Sequence, residues 1–62
     1  SLSMMRDTIQ ILVDDGIRDN FKVIIGGGPT SQKFASEIGA DGYADTAYEG
    51  VQLCSEMLGV KA

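Results

Sequence analysis

Three β-branched residues, Val23-Ile24-Ile25, run straight into Gly26-Gly27-Gly28-Pro29, and no other stretch of the chain limits its fold as much. Phe21 to Ile25 is apolar apart from Lys22 and reads as a short buried strand. Three glycines and a proline cannot continue it. Beyond them, a hydroxyl at Thr30 or Ser31 can accept an orphan backbone N–H and cap a helix. Phe34, Ala35 and Ile38 give that helix its buried stripe, and Gly39 ends it. Gly42 to Ala44, small and apolar, reads as a second strand, with Asp41-Gly42 taken as its start rather than as a hairpin turn. Two strands joined through a helix of about ten residues form a right-handed parallel crossover.

Helices flank this unit. From Ser3 to Asp15, apolar Met5, Ile9, Leu12 and Val13 recur at helical spacing with Arg6, Asp7, Gln10 and Asp14 opposite, and Gly16 stands where a left-handed residue ends a helix. After the second strand, Asp45 or Thr46 can cap a third helix, and Thr46-x-x-Glu49 has the capping-box spacing. Its expected buried stripe is Ala47, Val51, Cys54 and Leu58, with Gly50 as a weak point and Gly59 as its stop. The order is helix, strand, helix, strand, helix. A parallel sheet is stable only when both faces are covered and several strands are present, so two short strands read as half of a doubly wound α/β sheet that wants about three more. Free strand edges and uncovered helix stripes predict self-association of the isolated chain.

Composition closes off other routes to stability and function. Sixty-two residues with one cysteine and no histidine offer neither an internal disulfide nor a zinc cluster. The net charge is −4, and Arg6, Arg18, Lys22, Lys33 and Lys61 are scattered. Phosphate neutralisation needs clustered bases, so nucleic acid and anionic membrane surfaces are poor partners. The longest apolar runs are three residues, Ile11 to Val13 and Val23 to Ile25, far below the ~20 that a membrane span needs. One free thiol in an acidic chain fits a reducing cytoplasm.

In an open parallel sheet, ligands bind beyond the carboxyl ends of the strands. Gly26-Gly27-Gly28-Pro29-Thr30 lies at one such end and Tyr43-Ala44-Asp45 at the other. Glycines let a ligand approach the backbone, and the helix that follows offers unpaired N–H groups. The loop is no Walker A, because no Gly-Lys-Ser/Thr follows, and no dinucleotide fingerprint, because the third glycine position falls at Ser31 or Gln32. A plain tight turn competes evenly with a ligand cradle. Tyr43 is equally readable as a packing residue or a ligand contact, Asp45 reads more as a helix cap than as an acid, and Cys54 reads as core. Without histidine no Ser-His or Cys-His pair can form, and Glu37, Asp41, Asp45 and Glu49 are spread over loops and caps. No catalytic residue or metal ligand is assigned; the chain offers a surface that cradles something.

The combination Gly26-Gly27-Gly28-Pro29, then Phe34-Ala35-Ser36-Glu37-Ile38-Gly39-Ala40-Asp41-Gly42-Tyr43-Ala44, then Asp45-Thr46-Ala47 closely resembles the C-terminal half of the cobalamin-binding domain of corrinoid proteins. These serve methyl transfer from methylamines, methanol or methoxylated aromatics. The likeness runs from about Met5 to Leu58, and Met5-Arg6-Asp7-Thr8-Ile9 is similar to the family's third helix. It implies half of a flavodoxin-like, Rossmann-type sheet, with residues 1–62 as the C-terminal part of a single domain. It also implies that Gly26 and Gly27 make room for the nucleotide tail of cobalamin, with Gly28 and Pro29 beside them, and that Tyr43, Ala44 and Asp45 flank the tail. The family's Asp-x-His-x-x-Gly motif, whose histidine ligates cobalt, and its Ser-x-Leu motif precede the matching part and are not in this sequence.

The resemblance thus implies a methyl carrier acting between a substrate-specific methyltransferase and a methyl-acceptor methyltransferase, with weak or no cobalamin binding by these residues alone. Two other readings compete: the phosphate-binding end of a (β/α)8-barrel enzyme, where a glycine-rich loop follows a late strand, and a ligand-free flavodoxin-like interaction module.

Overall fold

The computed structural model describes Ser1–Lys61. Helix α1 spans Leu2–Asp14, a 3-10 turn covers Arg18–Asn20, β1 is Ile24–Ile25, α2 is Gln32–Ile38, β2 is Gly42–Tyr43 and α3 is Ala47–Leu58. The two strands pair in parallel, Ile24 opposite Gly42 and Ile25 opposite Tyr43. Element order and strand direction are those expected from the sequence. The strands are shorter, because each has a single neighbour: the ladder reaches one residue further only through Asp41 N–H donating to Val23 O (2.7 Å) and Ala44 N–H donating to Ile25 O (3.0 Å). Phe21, expected in β1, lies outside it and is 51% exposed.

Helix ends follow their local chemistry. The Ser31 hydroxyl accepts from Phe34 N–H and so caps α2, while Thr46 caps α3 by accepting from Glu49 N–H (3.1 Å). Glu49 reaches back one residue further than an ideal capping box, to Asp45 N–H (3.1 Å). Gly39 closes α2 at φ +81°, a left-handed conformation that a side chain would resist.

The pleat decides which helix covers which face. A Cβ on Gly42 would stand 2.8 Å from Leu53 Cδ2 and 2.9 Å from Met57 Cε, so Gly42 and its neighbour Ile24 point toward α3. Ile25 and Tyr43 point the other way, the side of Thr30 and α2. Helix α1 lies on α2, where the Arg6 guanidinium stacks 5.5 Å over the Phe34 ring. Ile9, Ala35, Ile38 and Ala44 form the small core.

The third helix corrects the expected stripe. Gly50, Leu53 and Met57 face the sheet, whereas Ala47, Val51, Cys54 and Leu58 are exposed. The two sets differ by one residue, about 100° around the helix. Gly42 accommodates the choice: Leu53 and Met57 come within 2.8 and 2.9 Å of where its Cβ would be, while a Cβ on Gly50 would meet Ala44 Cβ at an ordinary 3.8 Å. Cys54 is therefore a surface thiol and not part of the core. On α1, Ile11 and Val13 are likewise exposed while Ile9 is buried, because a sheet of two short strands has too little face to cover both helices. No helix among the described residues is long and apolar enough to cross a membrane.

Candidate functional site

Beyond the carboxyl ends of β1 and β2 lies a groove of 310 Å³. One wall is the end of β1 running into Gly26 and Gly27; the other is Ala44 to Ala47, with Gly50 at its base. Of the seven residues singled out in the sequence, Gly26, Gly27, Ala44 and Asp45 come together here. Gly28, Pro29 and Tyr43 lie beside it rather than in its lining. Thr46, Ala47 and Gly50 belong to it although they were read only as helix residues. The available signal was Gly50, since a glycine inside a helix asks for a packing or binding reason.

Gly26 is required by the strands themselves. A Cβ there would overlap the Ala44 carbonyl oxygen, so glycine at this position lets the two strand ends close on each other. Gly27 and Gly28 differ: nothing lies within 4 Å of where their Cβ atoms would be, and Gly27 holds φ +104°. Space at those two positions is open. Thr30, 8% exposed, ties the loop together by donating its hydroxyl and its amide to the Gly27 carbonyl. It thereby does not serve as the cap of α2.

Tyr43 rises from the opposite face and its hydroxyl donates to Asp45 Oδ1 at 3.1 Å. That hydrogen bond to a carboxylate, reinforced by partial burial and by the negative charge, raises the Tyr43 pKa above its ordinary value. The phenol hydroxyl engages one oxygen of Asp45, which keeps its second oxygen for another partner. The groove presents backbone and small apolar side chains with one carboxylate at its edge. Such a lining is suited to holding and orienting a ligand.

At the other end of the strands the polar contacts are structural. Arg18 donates to Phe21 O and Gly39 O (2.9 Å each) and to Asp41 Oδ2 (2.8 Å), and Val23 N–H donates to the same carboxylate oxygen (2.7 Å). These bonds hold Asp41 below the ordinary carboxylate pKa, the Val23 amide foremost and Arg18 next. A separate apolar groove of 260 Å³ runs beside the free edge of β1, between Phe21, Ile24, Cys54 and Leu58.

No family model matches the sequence. Among curated proteins, a dimethylamine corrinoid protein of Methanosarcina thermophila is 43% identical over 58 residues, covering 94% of this chain and 98% of that protein. This chain belongs to the corrinoid protein family. A corrinoid protein of Desulfitobacterium hafniense is 50% identical over 54 residues, or 87% of this chain and 25% of the relative. Dimethylamine corrinoid protein 1 of Methanosarcina acetivorans is 47% identical over 94% of this chain and 27% of its own. The chain therefore spans about a quarter of the length of these two corrinoid proteins. The fold agrees: a cobalamin-binding protein from Desulfitobacterium hafniense superposes at a TM-score of 0.84 with 38% identity, over 89% of this chain and 27% of that one. The arrangement is thus a partial flavodoxin-like sheet of the kind this family uses.

Proposed function

We propose that the groove at the carboxyl ends of β1 and β2 receives the nucleotide tail of a corrinoid. We further propose that residues 1–62 form the C-terminal part of a single cobalamin-binding domain in a methyl-carrier protein. The observation that carries this reading is the groove itself, lined by the Gly26-Gly27 pair and by Ala47 and Gly50 of α3, in a chain related to corrinoid proteins over nearly its whole length. Its 310 Å³ lies at the lower end of the range for small-molecule sites, enough for the tail and not for the whole cofactor.

Gly26 and Gly27 would pass the tail along the backbone, Gly28 and Pro29 would border it, and Ala44 would floor the groove. Asp45, oriented by Tyr43, would accept a hydrogen bond from a ligand hydroxyl or N–H. Bound corrinoid supplies the cobalt that takes up and gives off the methyl group, while the protein contributes binding and access. With no histidine in the sequence, an imidazole ligand to cobalt must come from polypeptide outside these residues. The partners of the complete carrier would be a substrate-specific methyltransferase and a methyl-acceptor methyltransferase.

Adding hydroxocobalamin to a polypeptide that joins these residues to an Asp-x-His-x-x-Gly segment should shift the corrinoid absorption bands and retain the cofactor through gel filtration. The 62-residue chain alone should bind whole cobalamin weakly or not at all. A longer polypeptide that retains none would favour a ligand-free module.

A further inference from the structure

Resting on the proposed site only for the ligand's identity, we propose that Thr30 is a positioning residue that fixes the glycine loop in the conformation that meets the ligand. Thr30 is the one buried polar residue among the described residues, and the capping role expected of its hydroxyl is filled by Ser31. Its hydroxyl and its amide converge instead on a single acceptor, the Gly27 carbonyl. Three consecutive glycines left to themselves would sample many conformations. Two hydrogen bonds to one carbonyl select the bend in which Gly27 sits at φ +104°.

The selected peptide has a direction. In a trans peptide the C=O and the following N–H point in opposite senses, so turning Gly27 O toward Thr30 turns the Gly28 N–H outward. Among the described residues no backbone carbonyl accepts from the Gly28 N–H, which leaves that donor available to an acceptor oxygen on a ligand. Asp45 offers an acceptor across the groove. The groove therefore has polarity, a donor at Gly28 on its border and a carboxylate at Asp45 in its lining. Thr30 maintains the donor end without touching the ligand, and it lowers the entropy that binding must remove from the loop.

The test compares Thr30→Val, which removes the hydroxyl and keeps the β-branch, with Thr30→Ser, which keeps the hydroxyl. Thr30→Ala serves as a second deletion should the valine disturb the turn. In the free chain, amide hydrogen exchange at residue 30 should speed up about tenfold in the valine and alanine variants, as expected for one lost hydrogen bond. It should stay near the original rate in the serine variant, with the Ala35 and Ile38 amides unchanged in all three. Affinity for the ribonucleotide of 5,6-dimethylbenzimidazole, the tail alone, should fall about tenfold with valine and return with serine. Unchanged exchange at residue 30 in both deletions, or a serine variant that behaves like valine, overturns the proposal. If the original chain takes up no tail nucleotide, the reading of the groove fails, while the exchange rates still decide the role of Thr30.

Discussion

The Arg18 guanidinium and the Asp41 carboxylate meet at 2.8 Å, 23 residues apart in sequence, at the end of the strands away from the groove. Asp41 also accepts from the Val23 amide, so one side chain fastens the turn before β1 to the start of β2. Because its pKa is depressed in the folded chain, its contribution is present above the unfolded value, about 3.9. That contribution is lost as pH falls through the lower folded value. Asp41→Asn should cost about 1–2 kcal/mol near neutrality, the range for a charged hydrogen bond reduced by partial exposure. It should also flatten the loss of stability between pH 4 and lower values, read by urea titration at several pH values. Equal acid sensitivity in both proteins would show that Asp41 is not the group responsible.

Gly26 and Gly42 make opposite predictions for the same substitution. A methyl on Gly26 meets the Ala44 backbone, which cannot move without opening the strand pair. On Gly42 it meets the far ends of Leu53 and Met57, which can rotate away. Gly26→Ala should therefore destabilise by about 2–3 kcal/mol and Gly42→Ala by about 1 kcal/mol or less. Denaturation midpoints in the reverse order would mean that the strand ends are not held as close as this structure has them.

The Tyr43–Asp45 hydrogen bond is open to direct titration. In a Tyr48→Phe background Tyr43 is the one remaining phenol, and its ultraviolet ionisation should have a midpoint above 10. Asp45→Asn should bring the midpoint down, since it removes both the accepting carboxylate and its charge. A midpoint that does not respond would detach Tyr43 from Asp45.

Leu58, 67% exposed, lines the groove beside the free edge of β1, and Val51, 57% exposed, lies on the same helix. Sedimentation of the isolated chain should reveal concentration-dependent association, and Val51→Lys with Leu58→Lys should reduce it. A monomer at every concentration would remove the link between these surfaces and association.

The fold was legible where local chemistry leaves one choice. The Gly26-Gly27-Gly28-Pro29 stop, the hydroxyl at Ser31, Gly39 and the Thr46-x-x-Glu49 spacing placed the element boundaries to within a few residues. The inner face of α3 was not legible, because Ala47, Val51, Cys54 and Leu58 form as good an apolar stripe as Gly50, Leu53 and Met57. The approach of Leu53 and Met57 to Gly42 that goes with the chosen face is tertiary. Carboxyl-end logic picked out Gly26, Gly27, Ala44 and Asp45, which the structure brings together in one groove. It could not assign Thr30 to the loop in place of the helix, since a hydroxyl before a helix reads as a cap until the carbonyl that it bonds is seen. Nor could the residues alone name a corrinoid; that came from the family likeness, and then from relatives 43–50% identical.

The most direct measurement is a titration of the ¹⁵N-labelled chain with the ribonucleotide of 5,6-dimethylbenzimidazole, followed amide by amide. Saturable shifts at Gly26, Gly27, the amides from Ala44 to Ala47 and Gly50, with Arg18 and Asp41 undisturbed, are the predicted result. No saturable shift at the groove, or shifts confined to the Arg18 end of the strands, would contradict the assignment of this surface to the corrinoid tail.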